Sequence, residues 1–258
     1  MTLFERFRFP RPELLKILDE YGAELEYLAT RKGSLPATLQ ILIAMRFFAT
    51  GSFQMAVGDI FGVSKATVHR CIHRVSSEIA RRVSVHVRFD RQTKADRTKE
   101  KFLAMAGFPN VVGCVDCTHV HIIAPTVNEH EFVNRKGYHS IHVQVVCDAD
   151  LKILNCVAKW PGSVDEARIL RESAVFPAFQ ATPPALDGFL LGDAGYPPRP
   201  WLLTPYGSAT SPTRRRYNEA LRATWETVKR CNTALKQRWH CLHGELRYVQ
   251  SASGIVVL

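Results

Sequence analysis

The sequence predicts an α/β fold, in which a mixed sheet with flanking helices follows an all-α region. Residues 1–100 carry apolar side chains at helical spacing, which is typical of packed helices. Beyond them, short runs rich in β-branched residues predict strands. These runs are 111–116, 119–124, 141–147, 152–158 and 188–192. We therefore expect two domains, a helical region over 1–100 and an α/β domain over 101–258.

Composition excludes several classes of protein. No apolar run approaches the roughly 18 residues of a membrane span, and the N-terminus lacks the apolar segment of a signal peptide. The seven cysteines are an odd number scattered through apolar segments, which predicts reduced thiols in an intracellular protein. Cys114 and Cys117 have C-x-x-C spacing but point to opposite faces of a strand, so we reject a zinc or redox site.

The positive charge is concentrated in two segments. The chain has a formal charge of +10, and residues 64–102 hold eleven Lys and Arg against four Asp and Glu. Residues 211–238 hold eight against two. Two basic segments in a mildly acidic body predict a polyanionic partner, most simply nucleic acid. The alternative is a pair of solvated helical faces.

The helical region ends in a pattern typical of a helix-turn-helix, over about 53–75. Helices predicted at 11–28 and 37–49 precede it. A short helix over 53–61 is followed by the turn Gly62-Val63, and Ser64 is placed to cap a second helix over 65–75. The outward face of that helix would present Lys65, His69, Arg70, His73 and Arg74 to a DNA major groove. The alternative is an ordinary helical hairpin in a bundle.

The segment 84–101 is highly charged and is predicted to join the two domains. In the α/β domain, Asp148-Ala-Asp150 predicts a hairpin turn between two strands. Ser163 and Glu166 fit a capping box, so we expect Glu166 to bond the helix end and not a metal. A long helix from about Tyr217 to Leu242 closes the chain. Three antiparallel strands, a helix and a further strand are typical of a ribonuclease-H-like sheet.

Two carboxylates interrupt the apolar strands. Asp116 lies within the run 111–123, and Asp193 ends the run that begins at Phe189. A charge in a buried strand is costly unless it is paired or binds a metal. Two acids at the ends of core strands are what a metal-dependent phosphodiester-cleaving site requires. The alternative is that each aspartate caps a turn.

Several motifs, taken together and in order, resemble the PIF/Harbinger transposases and the nucleases derived from them. The resemblance runs from about residue 35 to the C-terminus. Its motifs are Gly51–Gln54, Gly113–Val120, Phe132–Ser140, Val146–Asp148, Trp160–Ser163, Leu191–Asp193, Tyr217-Asn218, Leu235-Lys236 and Arg238–Leu242. It implies a ribonuclease-H-like DDE nuclease that acts on DNA, holds Mg²⁺ or Mn²⁺ on Asp116 and Asp193, and works with a Myb/SANT-like protein in the nucleus, or in nucleus and cytoplasm.

The resemblance fails at the third acidic position. The family has Glu at the start of a Glu-Arg/Lys-x-Phe run, and this chain has Lys229 there, followed by Arg230, Cys231 and Asn232. An ammonium between two aspartates would compete with a metal ion. Glu226, one turn earlier, is a weak substitute, because helical geometry places it near the solvent side. The chain also stops before a final helix of the family, which suggests a shortened C-terminus.

Two functions therefore remain open. The first is a metal-dependent DNA endonuclease, impaired to the extent that Lys229 disturbs the site. The second is a catalytically inactive factor that binds DNA or protein. In both cases basic residues outside the second helix of the helix-turn-helix would contact phosphates, namely Arg81, Arg82, Arg135, Lys136, Arg214, Arg215 and Arg216. For Arg135 and Lys136 the alternative is a solvated turn.

Overall fold

The central element of the computed structural model is a five-stranded sheet in the order β3-β2-β1-β4-β5. Its strands are β1 (Val111–His121), β2 (Ser140–Cys147), β3 (Ile153–Pro161), β4 (Phe189–Leu191) and β5 (Leu202–Leu203). The first three are antiparallel neighbours, whereas β4 pairs parallel with β1 and β5 parallel with β4. This mixed sheet with flanking helices confirms the predicted fold class and is consistent with a ribonuclease-H-like fold.

The structure describes residues 2–27, 34–89, 92–182, 184, 186–246, 250–251 and 254–255. Residue 28, the expected end of the first long helix, lies outside these residues. So do 247–249, 252–253 and 256–258, in the segment on which the expectation of a shortened C-terminus rests. Within them, no helix is both long enough and apolar enough to span a membrane.

In the part of the chain that the structure describes, seven helices precede the sheet. They are α1 (Leu3–Phe7), α2 (Arg11–Tyr27), α3 (Ala37–Thr50), α4 (Gln54–Phe61), α5 (Lys65–Arg81), α6 (Val83–His86) and α7 (Gln92–Ala106). Ser64 caps α5 as expected, with its Oγ accepting from the Thr67 amide at 3.2 Å. The segment predicted to be a junction is therefore mostly helical. The predicted boundary after residue 100 falls inside α7, whose Phe102 is fully buried in the core under β1, and the division into two domains stays a prediction.

Three helices cover the sheet on its two faces. α8 (Glu166–Arg171) and α9 (Val175–Gln180) follow β3, and α10 (Pro212–Arg238) follows β5. α10 packs with β1 and β2 in a core that includes Cys114, Val143 and Val228. Short 3₁₀ helices at Glu129–Phe132 and His240–Leu242, and a two-residue hairpin of Gln250–Ser251 with Gly254–Ile255, complete the description.

Two expectations about local structure are wrong. The runs 111–116 and 119–124 form one strand, β1, because the Cys117-Thr118 step keeps its pairing with β2. The capping box at Ser163 is also absent. Ser163 lies in a turn closed by the bond from the Val164 amide to the Pro161 carbonyl, Asp165 is the N-cap, and Glu166 is the first residue of α8. The Glu166 side chain is therefore not committed to the helix end.

Candidate active site

Asp116 and Asp193 are brought together by the pairing of β1 with β4. The two strands run parallel, and their last paired residues are Cys114 and Leu191. Asp116 lies two residues beyond the first and Asp193 two residues beyond the second. Since parallel strands advance together, both aspartates lie at the same level, just past the end of the β1–β4 pairing. Asp116 is still inside β1, which continues to His121 beside β2, so the expectation that it ends a strand is wrong. The two carboxylates are close enough to interact, because the negative charge of Asp193 raises the pKa of Asp116.

A tight turn holds Asp193 in position. Its Oδ1 accepts the Gly195 amide at 3.0 Å, which is the local bond that aspartate makes in turns. Tyr196 is then buried beneath the strand, and its hydroxyl lies 3.2 Å from the Cys117 Sγ. The motif Asp-Ala-Gly-Tyr therefore anchors the turn through the tyrosine and exposes the carboxylate.

Glu166 is the third acid of the site, and the sequence analysis assigned it to the helix cap. A Cβ built on Gly195 would collide with the Glu166 Oε2 and lie 3.1 Å from the Asp193 Oδ1. The absence of a side chain at Gly195 thus lets the Glu166 Oε2 approach the Asp193 Oδ1. The Glu166 Oε2 is buried and has no hydrogen-bond partner. Its other oxygen lies 4.0 Å from the His142 Nε2.

His142 faces the site as a neutral imidazole. Its Nδ1 is 2.8 Å from the Val164 carbonyl oxygen. A carbonyl only accepts, so Nδ1 carries the proton and Nε2 keeps its lone pair. That Nε2 is buried without a partner, and burial lowers the pKa of His142. His119 stacks on it at 4.1 Å between ring centroids, and burial together with His142 lowers the pKa of His119 to about 4.

The carboxylates share a poorly solvated environment. Burial first, and the Asp193 charge second, raise the pKa of Asp116 to about 6. Burial, followed by the charges of Asp193 and Asp116, raises the pKa of Glu166 to about 7. Like charges held close together in a desolvated site disfavour the ionised forms. A cation placed among these groups would relieve that repulsion.

Helix α10 contacts Asp116 through Asn232 and not through position 229. The Asn232 Nδ2 donates to the Asp116 Oδ2 at 3.1 Å, and the Trp225 Nε1 donates to the Val115 carbonyl at 2.9 Å. Lys229 lies one turn before Asn232, with its Nζ 3.2 Å from the Glu226 Oε1 and 4.5 Å from the centre of the Trp225 ring. Among the influences that lower the pKa of Asp116, that of Lys229 is the smallest.

Glu226, the weak candidate for the third acid, is in an exposed ion pair. Its side chain is 49% exposed and that of Lys229 is 48% exposed. Glu166 is instead 22% exposed, and the charges of Asp193 and Asp116 both raise its pKa. The lysine therefore does not lie between the aspartates as an ammonium that replaces a metal.

The basic candidates divide into four groups. Arg135 and Lys136 are exposed near the acids, and the Arg135 charge lowers the pKa of Glu166. On α5, Lys65, His69, Arg70 and His73 are exposed and Arg74 is half-buried. At the start of α10, Arg214, Arg215 and Arg216 are exposed. Arg81 pairs with Glu78 at 2.7 Å, and Arg82 bonds Glu24 and the Glu20 carbonyl, so the Arg82 guanidinium is occupied within the protein.

The residues present fit a hydrated divalent cation. Within the described ranges, no three His, Cys, Asp or Glu side chains converge tightly enough to hold an ion by themselves. Mg²⁺, however, keeps several waters and needs only one or two carboxylates. The buried Glu166 Oε2 and Asn232 Oδ1 are two oxygens without partners beside Asp193 and Asp116 respectively. Asp116, Glu166 and Asp193 are therefore the groups that would hold Mg²⁺ or Mn²⁺.

Two of these residues could have been found in the sequence. Asn232 is an amide within the apolar stripe of α10, and a buried polar group requires a partner. His142 is likewise an imidazole in a fully buried strand. The capping pattern hid Glu166, and only the position of the turn at Pro161–Val164 shows that the pattern does not apply.

Without metal, the raised pKa values of Asp116 and Glu166 predict a protein that loses stability as the pH rises. The unfolded chain ionises near the ordinary values of 3.8 and 4.5, whereas the folded chain holds its protons to about 6 and 7. Folding stability therefore falls between about pH 4 and 7. Asp116→Asn removes one of these penalties and should raise the free energy of unfolding in EDTA by about 1–2 kcal/mol at pH 7.5, and by less at pH 4.5. Urea denaturation at both pH values measures this.

The control is Asp150→Asn, which changes an exposed aspartate paired with Lys101. We expect no growth of its effect across the same pH range. If Asp116→Asn changed the free energy of unfolding by the same amount at pH 7.5 and at pH 4.5, the Asp116 carboxylate would not be held in the environment described above.

Comparison with known proteins shows the family of this chain. The family described as DDE superfamily endonuclease matches residues 115–257. The chain is 34% identical over 260 aligned positions to the "Putative nuclease HARBI1" of Rattus norvegicus and to that of Homo sapiens, covering 99% of this chain and 74% of each relative. "Protein ALP1-like" of Arabidopsis thaliana is 28% identical over 80% of this chain and 54% of its own length. No solved structure matches the chain. The chain therefore belongs to the DDE superfamily endonucleases and is a relative of the harbinger transposase-derived nucleases.

Proposed function

We propose that this chain is a divalent-metal-dependent nuclease that hydrolyses phosphodiester bonds in DNA, with Asp116, Asp193 and Glu166 as its acidic groups. The observation that carries the proposal is the proximity of three carboxylates: Glu166 and Asp193 both lie against Gly195, and the Asp193 charge raises the pKa of both Asp116 and Glu166. Two of the three, Asp116 and Asp193, are the acids that the sequence predicts. Glu166 is the third acid of this site, and it comes from the start of α8 instead of from α10.

Each residue has a distinct task in this proposal. A bound Mg²⁺ or Mn²⁺ would stabilise charge on the phosphate and lower the pKa of a bound water. Asp116 and Asp193 are fixed by the sheet and by the Gly195 amide, so little motion is required of them. The lone pair of the His142 Nε2 faces Glu166 and can accept a proton from a water between the two side chains.

Positive charge lies where a phosphate backbone would approach. Arg135 and Lys136 are exposed in the turn before β2, and the Arg135 charge lowers the pKa of Glu166. Asn134 fixes this turn, since its Oδ1 accepts the Lys136 amide at 2.9 Å and its Nδ2 donates to the Ser140 Oγ at 2.9 Å. We assign them to the strand that is cut, and the exposed residues of α5 and of the start of α10 to flanking DNA. Arg82 is excluded because Glu24 occupies it.

The wider setting rests on resemblance. A Myb/SANT-like protein partner and a nuclear location are carried over from the Harbinger family. One relative, 31% identical over 66% of this chain, is named antagonist of like heterochromatin protein 1 in Arabidopsis thaliana. We propose chromatin as the setting in which this chain finds its DNA.

The second function, an inactive binding factor, depends on Lys229. Its ammonium bonds Glu226 and lies over Trp225, so it does not neutralise the aspartates by direct contact. A site that keeps its acids together favours the enzyme. Loss of cleavage with retained DNA binding in the wild-type protein would instead favour the binding factor.

The first test is cleavage of supercoiled plasmid DNA in Mn²⁺. We expect the wild type to nick DNA only with the metal, and Asp116→Asn or Glu166→Gln to lower the rate about a hundred-fold or more, since each removes an oxygen that would hold the ion. The matched control is Glu226→Gln, which changes an acid in an exposed ion pair and should leave the rate unchanged. An active Glu166→Gln together with an inactive Glu226→Gln would reverse our assignment of the third acid. Equal activity in all four proteins would refute the proposed chemistry.

The second test concerns salt. A protein that neutralises phosphates releases counterions, so its affinity falls steeply with salt concentration. Arg135→Ala should reduce the slope of log K against log salt by about 1. Arg171→Ala removes an exposed arginine at the far end of α8 and serves as the control. Fluorescence anisotropy with a labelled duplex, in EDTA, measures both slopes, and an unchanged slope for Arg135→Ala would remove this turn from the DNA path.

A further inference from the structure

Asn232 is a polar residue on the buried face of α10. It is 7% exposed and lies among Val228, Cys231 and Thr227, which are also buried. A buried amide without hydrogen bonds costs free energy, because it gives up its bonds to water. Its presence in this apolar stripe therefore requires an explanation from what it contacts.

Half of the Asn232 amide is explained by Asp116. The Nδ2 donates to the Asp116 Oδ2 at 3.1 Å, and a carboxylate at neutral pH needs a donor there. The other half has no partner, since the Oδ1 is buried and makes no hydrogen bond. In a planar amide the Oδ1 is adjacent to the bond with Asp116. A neutral oxygen with a free lone pair thus lies at the edge of the carboxylate cluster.

The same helix shows what has moved. In the family that this chain resembles, Glu stands at the position of Lys229 and Phe at that of Asn232. Here Lys229 turns outward to Glu226 and Trp225, while the polar side chain that points inward is three residues later. Three residues correspond to about 4.5 Å along the helix axis and a rotation of about 60°. The contact of α10 with Asp116 is therefore made one turn further along.

We propose that Asn232 is the residue through which α10 completes the cation site of this chain: Nδ2 fixes the Asp116 carboxylate and Oδ1 supplies a neutral oxygen ligand to the hydrated ion. This inference rests on the proposed function. Asparagine carbonyls are ordinary ligands for hard cations. Asn232 contributes an oxygen without a charge. The site therefore has one negative charge less than it would have with a glutamate on α10 in addition to Asp116, Asp193 and Glu166.

The test is the affinity for Mn²⁺ alone, measured by isothermal titration calorimetry on the full chain. Asn232→Leu should weaken binding about ten-fold to a hundred-fold, because it removes both the ligand and the group that orients Asp116. The metal-free variant leaves the Asp116 carboxylate without this donor, so some loss of stability is expected whether or not Asn232 is a ligand. A purely structural asparagine would show that loss with unchanged Mn²⁺ affinity. Thr233→Ala, at the next and exposed position, is the control and should bind Mn²⁺ as the wild type does.

A double-mutant cycle identifies the shared task. If Asn232 replaces the residue at 229, Lys229→Glu should increase Mn²⁺ affinity more in the Asn232→Leu protein than in the wild type. Equal increases in both backgrounds, or wild-type affinity in Asn232→Leu and Asn232→Ala, would overturn this inference while leaving the proposed function intact. A wild-type chain that does not bind Mn²⁺, with Asp116→Asn indistinguishable from it, would overturn the proposed function itself.

Discussion

The parallel pairing of β1 with β4 is the constraint on which the site depends. It ends at Cys114 and Leu191. In each segment an aspartate follows two residues later. Strand pairing is a rigid way to hold two groups of like charge together, because the backbone hydrogen bonds oppose their repulsion. The cost appears in the raised pKa of Asp116, for which burial is the main cause and Asp193 the second.

The third acid arrives from a different element, and this changes how the chain is understood. Glu166 begins α8 on the side of the sheet opposite α10, and Gly195 provides the space in which its Oε2 lies beside Asp193. Two further polar side chains border the cluster. They are Asn232, which donates to Asp116, and His142, whose Nδ1 bonds the Val164 carbonyl. A cluster of acids bordered by neutral partners needs a cation to become fully ionised at neutral pH.

Local sequence patterns are sufficient to predict several features. β-branched runs predict the strands, Ser64 predicts the start of α5, and the two aspartates stand out as charges in apolar strands. The order of the strands in the sheet is not predicted, since periodicity does not specify which strands are neighbours. β1 was divided in two because a Cys-Thr step does not by itself show that pairing continues.

The remaining errors concern side-chain direction. The pattern from Ser163 to Glu166 is the usual signature of a helix start, yet the turn at Pro161–Val164 delays α8 and releases Glu166 into the site. Helical angles correctly placed Glu226 towards solvent, but the same angles place Lys229 at the edge of the buried stripe, where either direction is possible. Its pairing with Glu226 and its position over Trp225 decide the matter, and these are tertiary contacts that spacing alone does not provide.

The most direct measurement is anomalous scattering from crystals of the full chain soaked in Mn²⁺. The account predicts a peak bounded by the carboxylates of Asp116, Asp193 and Glu166, with Lys229 still turned towards Glu226. A peak coordinated by Glu226 would contradict it. Crystals that bind Mn²⁺ elsewhere and show no density among the three carboxylates would contradict it as well.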